Sequence, residues 1–215
     1  MSDPIRDIIN SYDSFIVRAY SRLRFAILRQ PFLEEIGQYL PTAGRILDLG
    51  CGFGLFSLYF AATYPDRSLC GVDLNRRRID YAWTSAERLR LSNVEYHIGD
   101  AFDWNTSESF DAIYLLDLLH HMPREKVNAF LEKATSLLRD DGILIVKEVA
   151  NRPRYKMWFT LLLDRLMVGW DPIYYWPPHD LSAMLEQLGF DVVRHRMIDI
   201  LPYPHILYIG RRIRP

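Results

Sequence analysis

From residue 45 onward, short apolar runs alternate with stretches whose apolar residues recur at helical spacing. Such alternation predicts βαβ units closing a mostly parallel sheet with helices on both faces. The predicted strands are Arg45–Leu49, Ser68–Asp73, Val94–Ile98, Ala112–Leu116 and Ile143–Val149. Each is nearly continuously apolar, as a strand buried on both faces must be. Helices are predicted over 54–64, 76–91 and 123–138; the last sets Val127, Phe130, Leu131, Ala134, Leu137 and Leu138 on one face and stops at Asp140-Asp141-Gly142. After an aromatic stretch the pattern resumes with a helix near 179–188 and a Gly189-Phe190 break. Two β-like runs follow, Val192–Met197 and Ile206–Ile209, divided by Pro202 and Pro204, and read as a terminal antiparallel hairpin. Ahead of the sheet, Ile5, Ile8, Ile9, Tyr12, Phe15, Ile16, Ala19, Tyr20 and Leu23 fall at helical spacing, so residues 4–40 are expected to form an amphipathic helical cover broken near Pro31.

Composition narrows what such a sheet can serve. The formal net charge of −1 gives no general attraction to polyanions, so nucleic acid is not an expected partner. The two cysteines, Cys51 and Cys70, both fall inside core elements, away from metal-cluster or disulfide spacing, so no metal is expected. No uninterrupted apolar run reaches the length of a membrane span, and the opening MSDPIRDIINSYD lacks the layout of a secretory signal; a reduced, cytoplasmic setting is expected.

The strongest chemical signal is Ile46-Leu47-Asp48-Leu49-Gly50-Cys51-Gly52-Phe53-Gly54, an apolar strand running into a glycine-rich turn that opens a helix. Alternate glycines let the backbone bend sharply and are expected to expose amide N–H groups to a ligand. Nineteen residues beyond Gly54 the next strand ends at Asp73, where a carboxylate can accept from the two hydroxyls of a ribose. The third strand ends in Gly99-Asp100-Ala101-Phe102, bringing a second acid suited to an adenine amino group, although a lone Asp at such a place is commonly a turn former. A nicotinamide fingerprint fails on spacing, because the sixth position counted from Gly50 is Leu55.

Taken together, Arg45 to Val149 resembles a class I S-adenosylmethionine-dependent methyltransferase of the small-molecule type. The resemblance implies a Rossmann-like, doubly wound α/β fold with a seven-stranded, mostly parallel sheet whose last strand is antiparallel. It implies that Asp48, Gly50, Cys51, Gly52 and Gly54 form the loop at the methionine end of S-adenosylmethionine, and that Asp73 holds the ribose. Leu74, Asp100 and Ala101 would then border adenine, and Leu116 would close the fourth strand beside the same cofactor. The expected organisation is one methyltransferase domain over residues 1–215: N-terminal helices at 1–40, a cofactor-binding core at 41–150, a lid or insertion at 151–178, and a helix and hairpin at 179–215.

Methyl transfer demands alignment, exclusion of water and, for a weakly acidic acceptor, a base. His120 and His121, just past the fourth strand, are the candidate bases. In the family's small-molecule O-methyltransferases a Leu-His-Asp-Trp sequence supplies the histidine here, and Leu119-His120-His121-Met122 resembles it through His120 alone. The alternative is that the pair caps the following helix or packs structurally. Tyr155, Trp158, Trp170 and Tyr175 of the aromatic-rich residues 151–178, with Tyr12 of the N-terminal cover, are candidate acceptor contacts. A lid over a hydrophobic acceptor is the first expectation for that segment, a membrane-surface contact beside Arg152, Arg154 and Lys156 the second, and a buried or dimer-forming helix the third. Macromolecular acceptors are disfavoured, since Trp176-Pro177-Pro178-His179 lacks the acid and the position of the amide and adenine N-methylating motif. A reading of another class, a non-catalytic partner subunit that only binds the cofactor, is opposed by the intact glycines and both acids.

Overall fold

In a computed structural model of the chain, residues 3–104, 106–149, 174, 176–197 and 205–213 are described. They fall into two compact units, Met1–Ala112 and Ile113–Pro215.

The first unit opens with three helices: α1 (Pro4–Ser11), α2 (Phe15–Ile27) and α3 (Gln30–Tyr39). The single break expected near Pro31 is in fact two, and local chemistry explains both. Asp3 caps α1 by accepting from the Ile5 N–H at 3.0 Å, and Ser14 caps α2 through the Val17 N–H. Between those helices Asp13 is held by both guanidinium nitrogens of Arg88 at 2.6 Å, which draws its carboxyl below the usual range. Pro31 sits in the first turn of α3, where its missing N–H costs nothing. The end of α3 is closed by Arg67, whose buried guanidinium donates to the carbonyls of Gly37 and Pro41 and lies 3.7 Å over the Tyr64 ring.

Strands β1 (Gly44–Leu49), β2 (Arg67–Asp73) and β3 (Val94–Ile98) then alternate with α4 (Leu55–Thr63) and α5 (Arg76–Leu89). All three strands are parallel, with Leu49 opposite Val72 and Asp73 opposite Ile98, so their carboxyl ends lie side by side. Leu55 to Ala61 of α4 are all buried, because the helix packs on β2 on one side and α1 on another. This explains a helix that is apolar all round.

Strand β4 (Phe110–Leu116) runs across the boundary into the second unit. That unit continues with a single 3-10 turn at Leu119–His121, then α6 (Arg124–Ser136), β5 (Leu138–Val149), α7 (Pro178–Gln187), β6 (Phe190–Arg196) and β7 (His205–Arg212). Strand β7 pairs antiparallel with both β5 and β6, so the terminal hairpin inserts its second strand beside β5. The strands form the expected seven-stranded mixed sheet, in the order β3-β2-β1-β4-β5-β7-β6. The largest difference from an expected boundary is at β5. Strand β5 starts at Leu138, and Asp140-Asp141-Gly142 lies within it instead of ending α6, which closes at Leu137 through backbone bonds to Ala134 and Thr135.

Candidate functional site

The glycine turn is built from left-handed backbone that favours glycine, with φ of +77° at Gly50, +57° at Gly52 and +76° at Gly54. Around Gly54 space is also short: an added Cβ would lie 2.5 Å from the Tyr96 hydroxyl and 2.9 Å from Cβ of Ala82. At Gly52 the reverse holds, and an added Cβ would meet nothing within 4 Å. Gly52 therefore faces open space, as a residue on the wall of a ligand site does.

The amides of this turn are largely used within the protein, which corrects the expectation that they are offered outward. Gly50 and Cys51 donate to the Val72 carbonyl at 2.8 and 3.1 Å, and Gly54 donates to Cys51. Gly52 donates to Asp73 Oδ2 at 2.9 Å, while Asp73 Oδ1 accepts from Asn75 at 2.8 Å. Asp73 also accepts the Gly99 N–H through its main-chain carbonyl at 3.1 Å. One buried acid thus ties together the ends of β1, β2 and β3. Among the described residues each carboxylate oxygen takes one donor, which leaves acceptor capacity for a diol.

The other predicted residues of this unit divide by burial. Asp48 and Cys51 are buried, and burial with the nearby Asp48 and Asp73 charges pushes the Cys51 thiol well up. Leu74 is 71% exposed beside Asp73, and Asp100 is exposed with Ala101 half-buried. Asp100 Oδ1 accepts the Phe102 N–H at 3.0 Å, the turn-forming role noted as the alternative for this residue. Tyr12, expected against an acceptor, is buried, and its hydroxyl donates to the Phe53 carbonyl in the glycine turn at 2.8 Å. The Phe53 ring packs between Tyr20 of α2 and Tyr81 of α5, with centroids 5.2 and 5.9 Å away.

Tyr96 is a residue that sequence reasoning missed. It lies opposite Gly71, where an added Cβ would fall 2.5 Å from its ring, and its hydroxyl is 3.1 Å from Ser57 Oγ, directly beneath Gly54. The legible signal was an unexplained glycine at the centre of an apolar strand.

In the second unit, β4 ends at the buried Leu116 and the chain turns sharply at Asp117, a non-glycine residue with φ +59°. His120 is buried, with Nδ1 2.7 Å from Glu148 Oε2; Glu148 Oε1 accepts the Leu119 N–H at 2.7 Å. The neighbouring Lys147 is fully buried against Asp117 Oδ1 at 2.5 Å. The half-buried His121 ring packs 4.2 Å from that of His120. The following helix α6 has Pro123 at its N-cap, a residue with no side-chain cap bond. The Tyr174 N–H donates to the His120 carbonyl at 2.8 Å, and Trp176 is buried beneath the Arg124 guanidinium. One carboxylate oxygen each of Asp117 and Glu148 and one ring nitrogen of His120 lie within 4.8 Å of one another, and the Lys147 ammonium pairs with the Asp117 member. Tyr155, Trp158, Trp170 and Tyr175 lie outside the described residues.

The family profile described as a methyltransferase domain matches residues 20–195. The chain belongs to that methyltransferase family. The family has the class I fold, and S-adenosylmethionine is its methyl donor. Among curated relatives, the methyltransferase is 32% identical over 107 residues to (S)-coclaurine N-methyltransferase of Papaver somniferum, covering 50% of this chain and 30% of that protein. It is 32% identical over 123 residues to a fatty-acid O-methyltransferase of Mycolicibacterium smegmatis, covering 56% and 42%. It thus spans less than half the length of either relative. Its fold matches the solved magnesium protoporphyrin IX methyltransferase of Synechocystis, which has S-adenosylhomocysteine bound. The TM-score is 0.68 at 20% identity, over 98% of this chain and 94% of that one.

The first unit fits the methyl donor on its own geometry. The open wall at Gly52 admits a ligand against the main chain, and Asp73 retains acceptor sites for the ribose hydroxyls. With their amides occupied, Gly50 and its neighbours have carbonyl oxygens left to meet the ammonium group of a methionine, and those of Cys51, Phe53 and Gly54 already accept from Gly54, Tyr12 and Leu58.

Proposed function

We propose that this methyltransferase moves the methyl group of S-adenosylmethionine onto a small hydrophobic acceptor, a phenol or enol oxygen or a carbon, with His120 as the base. The bound cofactor supplies an electrophilic methyl group. The protein must then hold the acceptor in line, keep water away and take up a proton. The observation that carries the reading is the buried His120–Glu148 pair at 2.7 Å. A carboxylate on Nδ1 fixes the ring and its tautomer and stabilises the imidazolium that forms when Nε2 takes a proton, the arrangement of a positioned general base. Burial serves the same end, because the reacting pair is shielded from solvent.

Two observations support an apolar acceptor under a lid. The Tyr174 N–H donates to the carbonyl of His120 itself, which favours the 151–178 insertion as a cover for that residue. The relatives named above act, by their names, on coclaurine and on fatty acids, both small and lipophilic. A base serves nitrogen as well as oxygen, by keeping an amine unprotonated.

The test incubates the purified chain with labelled S-adenosylmethionine and a panel of lipophilic phenols, fatty acids and cyclic amines, reading methylated product by mass spectrometry. Product from apolar members is expected, and His120→Ala should lower turnover at least ~100-fold with S-adenosylhomocysteine affinity unchanged. Methylation confined to hydrophilic or macromolecular acceptors would overturn the acceptor class. Near-normal turnover in His120→Ala would remove the base.

A further inference from the structure

We propose that the outer face of α2 docks on an anionic lipid surface. Helix α2 has two apolar faces where a solvated surface helix needs one. Val17, Ser21 and Phe25 recur every four residues and are buried against the first unit. On the opposite side Phe15 is 72% exposed, Ile16 79% and Leu23 42%, with the exposed Ala19 and Ala26 continuing the same stripe. Two adjacent large apolar side chains held in water at the start of a helix need a compensating partner.

Charge identifies that partner. Between Ser14 and Leu33 there are four arginines, at 18, 22, 24 and 29, and no acidic residue, in a chain whose overall charge is −1. A run of four arginines without an acid thus coincides with the exposed Phe15, Ile16 and Leu23, although the Arg24 guanidinium itself lies over the Phe56 ring. Apolar groups reaching the acyl boundary while guanidinium groups meet phosphates is the arrangement of an interfacial helix. Its length and its arginines exclude a spanning role, and among the described residues no helix is long and apolar enough to cross a membrane. A second copy of the chain is a poorer occupant, because it would bring the same four arginines against themselves. Docking here also has a consequence for the cofactor site, since Tyr20 of the same helix packs on Phe53 of the glycine turn. The surface-bound protein would hold that turn close to dissolved lipophilic molecules.

The test is sedimentation of the full chain with phosphatidylcholine vesicles, with and without phosphatidylserine, at low and high salt. The chain should pellet with the anionic vesicles and be released by salt. Arg22→Gln should weaken partitioning about fivefold. Phe15→Gln combined with Ile16→Gln should weaken it more than tenfold, with S-adenosylhomocysteine affinity unchanged as the control on folding. Wild-type protein that stays in the supernatant with anionic vesicles, or that binds both vesicle types equally, would overturn the proposal. So would a wild-type dimer that Ile16→Gln converts to monomer, because a second copy would then cover the face.

Discussion

Replacing Asp73 by asparagine separates two functions that converge on one carboxylate. In the ligand-free protein Asp73 is buried and accepts from Gly52 at 2.9 Å and Asn75 at 2.8 Å. Hydrogen bonds to a charged acceptor contribute about 1.5–3 kcal/mol each, and a buried donor left unmatched costs about 1–3 kcal/mol. In Asp73→Asn the new side chain would keep one accepting oxygen but turn an NH₂ toward the other amide, losing one bond and weakening the second. The expected destabilisation is about 2–4 kcal/mol, which for a chain of this size lowers Tm by on the order of 10 °C. Calorimetric unfolding without ligand measures this, because no ribose contributes to it. Titration with S-adenosylhomocysteine, below the new Tm, measures the second function; loss of the ribose contact should weaken affinity ~100-fold. An unfolding midpoint unchanged within ~0.5 kcal/mol would refute the brace between β1 and β2. Unchanged affinity would refute the ribose contact, independently of the first result.

Other expectations follow from the same geometry. Gly54→Ala should destabilise by at least about 2–3 kcal/mol, since it combines a left-handed φ with contact on Tyr96 and Ala82; Gly52→Ala should cost only about 1–2 kcal/mol, from φ alone, yet lose cofactor binding. Denaturant midpoints and calorimetric titration of the two variants distinguish these outcomes, and equal stability losses would contradict the packing described. Glu148→Gln retains an acceptor for the Leu119 N–H but removes the charge behind His120, so turnover should fall at least ~10-fold with cofactor affinity kept. Unchanged turnover would count against the dyad. At alkaline pH the fold should weaken: burial pushes Cys70 and Tyr59 up to about 12, and raises Cys51, Tyr12, Tyr96 and Tyr208 as well. Below about pH 7.5 these groups are protonated in both states and their contribution is complete; as pH rises, the unfolded chain loses these protons first, cysteines before tyrosines, so stability falls. A urea midpoint that stays flat from pH 8 to 11 would contradict that burial.

The centre of the sheet was legible because β1, β2 and β4 are short and nearly continuously buried, the pattern that strands covered on both sides leave. What escaped were places where one side chain far away in sequence decides a local boundary. Arg67 opens β2 inside the core because its guanidinium closes the end of α3 and stacks on Tyr64, a role that no periodicity displays. The gap between α1 and α2 is similarly decided by Arg88, which holds Asp13 from α5. At the glycine turn the sequence pattern located the bend but gave its chemistry in reverse. Counting donors shows why: the Val72 carbonyl and Asp73 carboxylate lie on the adjacent parallel strand, and claim the amides that the turn alone would leave open.

The histidine turn shows the same dependence from the other direction. His120 and His121 are equivalent as sequence, two imidazoles after a strand, yet His120 is buried with a carboxylate on its ring while His121 is half-buried against it. The distinguishing sign lay 28 residues away, where Lys147-Glu148 interrupts the apolar run Ile143–Val149. Lys147 and Glu148 are both buried, and Glu148 lies in one cluster with Asp117 and His120 whose oxygen and nitrogen atoms fall within 4.8 Å of one another. Each then requires its own partner from a neighbouring segment, because an unpaired buried charge costs several kcal/mol. Lys147 finds Asp117, and Glu148 finds His120 and the Leu119 amide. A lysine and a glutamate side by side in a doubly covered strand are therefore evidence that the adjoining strand's end carries a complementary acid and base, and in this chain that end is the candidate catalytic turn.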